Sequence, residues 1–308
     1  LKWHAVSNLA HGQAKTEISM TTLNPGYDEQ SAIWNGAAGH AWVAEQDLLD
    51  QMFKPLEEAL TEAVWTISPQ ALLDVGCGTG ATTLAAARLR RQDSTIVGID
   101  VSEPMISAAR ARAQAEESPA QFICADAQTF AFEPGIFDLV ISRLGVMFFA
   151  DPVAAFSNLR RAAADDAQLR MIVFRSADEN PFMTTAEQAA QPLLPTVPAR
   201  VEGPGQFAFA DPDLVETILC RSGWQSRGTE PIDFECSFPA SESTRYFTRL
   251  GPVGRVLDKA NEATRGAVID AVHSAFQPYV AGNQVRFKAA LWMIAARAGR
   301  WRQEKPGG

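Results

Sequence analysis

The stretch Leu72–Ala87, LLDVGCGTGATTLAAA, decides the fold of this chain. An apolar run, Ala71 to Val75, reads as a buried strand. It ends in glycines at alternate positions, Gly76, Gly78 and Gly80, and a helix-forming run rich in Ala and Leu follows at once. Strand, glycine turn and helix are how an open α/β sheet builds a nucleotide site. Glycine allows positive φ and a close approach of backbone to ligand, and the helix start presents free N–H groups to whatever sits there.

Two patterns overlap in the turn. Gly76, Gly78 and Ala81 satisfy G-x-G-x-x-G/A, the dinucleotide fingerprint. Gly80 and Asp74 extend it to D-x-G-x-G-x-G. Downstream, Thr95 to Ile99 reads as a second strand ending in Asp100, an acidic position suited to two ribose hydroxyls with either kind of nucleotide. Ser102 and Pro104 then form a helix start, cap and first turn, and the helix runs to about Ala115. A third strand, Ala120 to Cys124, is followed by Asp126-Ala127. Phe137 to Ser142 is a fourth strand, with Arg143 at its carboxyl end.

This series resembles the class I S-adenosylmethionine-dependent methyltransferases from about Ala71 to Phe174. In that family the glycine turn holds the methionyl part of the cofactor and the acidic residue at Asp74 helps hold its ammonium. The position of Asp126 accepts from the adenine amino group. A nicotinamide enzyme has no standing need for that third acidic residue, so the methyltransferase resemblance is preferred. It implies a Rossmann-like α/β fold with a seven-stranded, mostly parallel sheet, an antiparallel C-terminal strand and helical lids. The cofactor-binding residues it implies are Asp74, Gly76, Cys77, Gly78, Gly80, Asp100, Val101, Met105, Asp126, Ala127 and Arg143. Nucleic-acid amine methyltransferases place N/D-P-P-Y/F after the fourth strand. This chain has Ser142-Arg143-Leu144-Gly145, which argues against base methylation.

Composition narrows the partners. The chain has 308 residues, enough for one large α/β domain with a lid. It is 46% hydrophobic, with a formal net charge of −9, the wrong sign for a phosphate-backbone partner. No apolar run reaches the roughly 18 to 20 residues of a membrane span, and no secretory leader is expected. Cys77, Cys124, Cys220 and Cys236 lack metal-ligand spacing and read as small buried thiols in a reducing cytoplasm. No metal is expected.

The remaining segments read as covers. Residues 1–19 are expected to be a disordered tail, with Met20 the natural start. Residues 20–68 form an N-terminal helical lid, because Leu49, Met52, Phe53, Leu56, Leu60 and Val64 recur at helical spacing. Trp34 and Trp42 lie in it beside paired glycines and are expected either in the core or against the cofactor, since aromatic faces attract cations such as a sulfonium. The core spans 69–176 and resumes over 211–240, where Trp224 to Phe238 is a sixth, bent strand. The Pro-rich segment 177–210 reads as a long loop forming a cap, and 241–280 as a helical cap. Over 281–299, Val285 to Arg297 is a closing strand on element order, although its Ala, Leu and Met favour a helix. Residues 300–308 are a polar tail. The pocket is expected to be roofed by 28–45, 177–209 and 241–280. The apolar residues Phe182, Leu193, Leu194, Val197, Phe207 and Phe209 lean towards a partly apolar metabolite.

The resemblance implies direct in-line methyl transfer to a small-molecule acceptor, by a cytoplasmic monomer or homodimer. Proximity and orientation supply most of such a rate, and a general base is needed only where the acceptor must lose a proton. His40 and His273 are the candidates for one, against packing or surface roles, and Arg143 could bind an acceptor carboxylate. Two alternatives remain: an S-adenosylmethionine-binding protein without methyl transfer, and an NAD-linked oxidoreductase.

Overall fold

A computed structural model describes residues 25–198 and 203–299; the expectations for 1–19, Met20 and 300–308 fall outside them. The apolar run becomes β1, Ala71–Val75, buried along its whole length. Parallel to it lie β2 (Thr95–Asp100) on one side and β4 (Phe137–Arg143) on the other, with β3 (Gln121–Cys124) beyond β2. β5 (Ala163–Phe174) continues the parallel set beside β4. It starts earlier than the expected Gln168, because Ala163 already pairs with Phe137 before an irregularity in register.

β8 (Gln284–Ala298) then runs antiparallel between β5 and β6 (Trp224–Pro239). The order β3-β2-β1-β4-β5-β8-β6 is the expected seven-stranded sheet, and a two-residue β7 (Val280–Ala281) pairs with β8 as well. The closing segment is therefore a strand. Two neighbours offer it a full hydrogen-bond ladder, which outweighs weak helix propensity. The expected bend in β6 is a register shift between Ser226 and Gly228.

Twelve α-helices of the described residues surround the sheet. Four lead into it: α1 (Pro25–Asn35), α2 (Ala37–Ala44), α3 (Gln46–Met52) and α4 (Lys54–Ile67). α4 buries Leu56, Leu60 and Val64. α5 (Ala81–Arg88) follows the glycine turn, and α6 (Glu103–Ala115) follows β2, capped by the Ser102 hydroxyl as expected. α7 (Pro152–Ala162) is capped by Asp151.

The segment read as a loop departs from expectation. It contains α8 (Pro181–Ala190). Pro181 stands at its first turn, and Phe182, Ala186 and Ala190 share a helical face. The flanking prolines hid that period. Asn180, buried at the helix entry, accepts from the Ala290 N–H and donates to the Ala290 carbonyl, both at 2.9 Å. Phe182 stacks on Phe287 at 3.8 Å between centroids, so it belongs to the core. α9 (Pro212–Arg221) precedes β6, and α10 (Ser243–Arg249), α11 (Gly251–Leu257) and α12 (Glu262–Phe276) form the expected C-terminal helical segment. Among the described residues no helix is long and apolar enough to cross a membrane.

Candidate functional site

The chain runs from β1 outward to β3, then returns to the other side of β1 as β4. Such a reversal leaves a crevice at the carboxyl ends of the strands. A cleft opens there, with an empty volume of about 1220 Å³ including its mouth.

The glycine turn forms its floor, and its three glycines serve different ends. All have positive φ, +67°, +55° and +85°. A Cβ on Gly76 would lie 2.6 Å from the Gly145 Cα, and one on Gly80 would lie 2.9 Å from the Phe122 ring; these two exist for packing. A Cβ on Gly78 would meet only Met105 Sδ at 3.7 Å, and Gly78 lines the cleft, so its bareness faces the open space there. Gly145 belongs to the run Arg143 to Phe148, expected from its place after the fourth strand to border the substrate; its contact with Gly76 was not legible in the sequence.

The acidic positions converge as the spacing predicts. Asp74, Asp100 and Asp126 all line the cleft, with Cys77, Val101, Met105, Ala127, Arg143, Trp34 and Trp42. Gly80 lies just behind, at the start of α5. Asp100 accepts from the Gly78 N–H and the Ser102 N–H, each at 2.9 Å, so one carboxylate sets the shape of both the glycine turn and the next helix entry. Burial raises its pKa against those backbone bonds. Burial likewise raises that of Asp126, which accepts from the Gln128 N–H at 2.8 Å.

Asp74 is strongly perturbed. It is 1% exposed, and Thr83 Oγ1 donates to its Oδ2 at 2.6 Å. Burial pushes its pKa up to about 6, even though the Thr83 bond and the Arg143 charge pull the other way. Its Oδ1 has no partner. Thr82 Oγ1 and Arg143 Nη1 are also buried without partners, and all three residues line the cleft. An unpaired buried polar group costs roughly 1–3 kcal/mol, and three such groups belong to residues that line this one cleft.

The roof comes from α1 to α3. Asn35 donates to the Val101 carbonyl at 3.0 Å and accepts from the Glu103 N–H at 2.9 Å, and Ser102 Oγ donates to the Trp34 carbonyl at 2.6 Å. These bonds hang Trp34 beside the end of β2. Trp34 meets Trp42 edge-on at 5.9 Å and Phe148 at 5.0 Å. Asp50 of α3 binds Arg112 of α6 at 2.8 Å, and the same guanidinium donates to the Thr79 carbonyl at 3.1 Å, tying roof to glycine turn.

Several expectations fall elsewhere. Among the described residues, none of 177–209 or 241–280 lines the cleft. Phe182, Leu194, Val197 and Phe209 are core, and Leu193 is exposed, so they carry no information about a ligand. The 241–280 segment acts one layer out: Arg245 and Arg249 of α10 grip the fully buried Glu45, between α2 and α3. His40 is exposed with Nδ1 2.9 Å from the Gly36 carbonyl, and His273 lies against Thr244 Oγ1 at 2.5 Å within the C-terminal helices; neither lines the cleft. Of the cysteines, Cys77 and Cys236 are buried, whereas Cys124 is half-buried and Cys220 exposed.

A doubly flanked, mostly parallel sheet in this order defines the Rossmann-like α/β class. Residues 72–166 match the family model of the methyltransferase domain, which bears out the resemblance drawn from the glycine turn. The chain is 28% identical over 169 residues to a demethylmenaquinone methyltransferase of Thermus thermophilus, covering 52% of this chain and 76% of that protein. It is 32% identical over 120 residues to a nocamycin O-methyltransferase of Saccharothrix syringae, covering 39% and 43%. The chain thus spans about three quarters of the first relative and less than half of the second. A structure from work on conversion of a disulfide bond into a thioacetal group during echinomycin biosynthesis superposes with a TM-score of 0.55 at 19% identity, over 81% of this chain and 83% of that one. A methyltransferase-like chain from Bacillus halodurans gives 0.51 at 16%, over 78% and 98%. These two likenesses establish the fold.

Proposed function

We propose that this chain transfers a methyl group from S-adenosylmethionine to a small-molecule acceptor by direct in-line displacement. The observation that carries the reading is the set of unpartnered buried atoms in the cleft: a carboxylate oxygen of Asp74, the hydroxyl of Thr82 and a guanidinium nitrogen of Arg143. An anion acceptor beside two donors is complementary to an α-amino acid, an ammonium with its carboxylate. A dinucleotide pyrophosphate would set its charge against a buried Asp74.

When bound, the cofactor supplies a methyl group activated on a sulfonium. Asp74 would hold the ammonium, and Arg143 and Thr82 the carboxylate. Gly76, Cys77 and Gly78 form the floor. Asp100 has lone pairs left for ribose hydroxyls after its two backbone bonds, with Val101 beside it. Asp126 and the Ala127 N–H would read the adenine edge, and Met105 walls the nucleoside. Trp34 and Trp42 exclude water from above. Orientation and exclusion of water are the levers available to such a site. On this reading residues 20–68 are the lid, 69–176 and 211–240 the cofactor-binding core, and 177–210 and 241–280 its outer buttress. The relatives' names point to small-molecule acceptors, and the acidic balance of the chain favours no nucleic acid. A cytoplasmic enzyme, as monomer or homodimer, fits this reading.

Calorimetric titration with S-adenosylmethionine and S-adenosylhomocysteine, with NADH as control, tests it. Binding of both sulfur nucleotides near 1:1 is expected. Binding of NADH alone overturns it. Binding of the sulfur nucleotides with no transfer of labelled methyl to a broad acceptor panel would leave a binding protein.

A further inference from the structure

The cleft also constrains the acceptor, an inference that rests on the reading of the cleft as a methyl-donor site. The ionisable side chains lining it are Asp50, Asp74, Cys77, Asp100, Asp126 and Arg143. Asp50 is committed to Arg112 at 2.8 Å. Asp100 accepts from two backbone N–H groups and, on the reading above, gives its remaining lone pairs to the ribose hydroxyls. Asp126 follows β3, three strands from β4; at ~4.8 Å per strand that is roughly 14 Å from the Arg143 end. Burial holds the Cys77 thiol well above its ordinary pKa, so it stays protonated. Asp74 has one open oxygen, the one the donor's ammonium would take. Neither His40 nor His273 reaches the cleft. Among the described residues no uncommitted base therefore stands near the ends of β1 and β4. No uncommitted carboxylate stands there to attract a cationic amine either. Apolar side chains make up much of the rest of the lining: Trp42, Leu49, Phe53, Leu144 and Phe148.

We propose that the acceptor is an acidic hydroxyl on an apolar ring system, an enol or strongly acidic phenol that enters already ionised. The acceptor gives its proton to solvent before binding. Its oxygen lone pair forms the new O–C bond to the methyl carbon as the C–S bond breaks, and that bonding pair returns to sulfur. The anionic and sulfonium charges cancel, and no proton needs a destination in the protein. The apolar part of the lining favours this course, since it strips water from the oxygen anion and leaves the sulfonium and the Arg143 guanidinium as its counter-charges.

The probes are 4-hydroxycoumarin, an enol ionised at neutral pH, and two flat bicyclic comparators, 1-naphthol and 4-aminocoumarin. Binding is measured by calorimetry on protein loaded with S-adenosylhomocysteine, and transfer with labelled donor. The enol is expected to bind with an enthalpy independent of the buffer's ionisation heat, and to be O-methylated roughly 100-fold faster than 1-naphthol at neutral pH. The naphthol rate should climb about tenfold per pH unit, following its own ionisation. His40→Ala should leave both rates unchanged. Three results would overturn the proposal: no binding of the enol by the loaded protein, equal methylation of naphthol or amine at neutral pH, or a rate-limiting pKa that disappears in Asp50→Asn or Asp74→Asn. Failure of S-adenosylhomocysteine to bind in the loading step would instead break the cofactor reading.

Discussion

Two aromatic-rich regions of this molecule differ in what they enclose. Around Phe182, the rings of Phe287, Phe238, Tyr246, Phe276 and Tyr279 lie between 3.8 and 6.2 Å from it and leave it 2% exposed. Around the cleft, Trp34, Trp42 and Phe148 meet edge to edge but wall an open space whose floor carries unpartnered polar atoms. The first region is finished by packing, whereas the second leaves polar atoms unpaired that the proposed cofactor would complete. Aromatic content does not separate them; the satisfaction of their surroundings does.

Truncation should separate the two most strongly. Phe182→Ala removes a ring with contacts on every side and is expected to cost about 3–5 kcal/mol of folding stability, read by denaturant unfolding, with little change in cofactor affinity for the protein that remains folded. Equal losses of stability in Trp42→Ala and Phe182→Ala would erase the distinction.

Asp74→Asn should act in the opposite sense on the two quantities. The folded pKa of about 6 lies above the ordinary 3.8. The folded state therefore binds the proton more tightly than the unfolded one, and the ionised carboxylate costs stability at neutral pH, by about 3 kcal/mol at most. The ligand-free protein should become more stable as pH falls from 7 through 6 towards 4, as far as this group is concerned. Asp74→Asn should flatten that slope and stabilise the ligand-free protein at pH 7. It should weaken S-adenosylmethionine binding by roughly 1.5–3 kcal/mol, the worth of a hydrogen bond to a charged group. For the wild type, affinity should decline below about pH 6. Calorimetry and thermal unfolding across pH check both halves.

Gly78→Ala sharpens the contrast within the floor itself. Its φ of +55° costs a side chain about 1–2 kcal/mol, yet the added Cβ meets nothing closer than 3.7 Å. The fold should survive with cofactor binding reduced more than stability. Gly145→Ala, whose Cβ would lie 2.7 Å from both the Gly76 Cα and the Val75 carbonyl, should harm fold and binding together.

The smallest effect belongs to the clasp between roof and buttress. Glu45 is fully buried, but Arg245 and Arg249 are about half exposed, so water screens their side of the pair. Glu45→Gln is expected to cost about 1 kcal/mol, and to speed cofactor release if the clasp steadies Trp42. Stopped-flow displacement measures that rate.

The glycine-turn half of the cleft was legible because its requirements are local. Positive φ at Gly76, Gly78 and Gly80, an apolar strand before them and acidic residues at strand ends are all set within a few residues of one another. What was not legible depends on which surfaces meet. Phe182, Leu194 and Phe209 looked like the lining of a cap and are core, because α8 folds onto β8 through Asn180 and Phe287. His40 and His273 were reasonable as bases by residue type alone, and only packing turned them away from the cleft.

By itself, then, the sequence determined the order of the strands' chemistry: a glycine turn, three acidic strand ends and an arginine after the fourth strand, enough to define a nucleotide-binding α/β core. Tertiary structure decided that Val285–Arg297 is a strand, because β5 and β6 supply its ladder. It decided that the roof is drawn from residues 30–53 alone among the described lids. It also left Asp74, Thr82 and Arg143, which line one cleft, each with an unpaired buried atom. Backbone conformation is a short-range property that residue types can announce. Burial and hydrogen-bond satisfaction are properties of surfaces brought together from distant parts of the chain, and they exist only once the chain has folded.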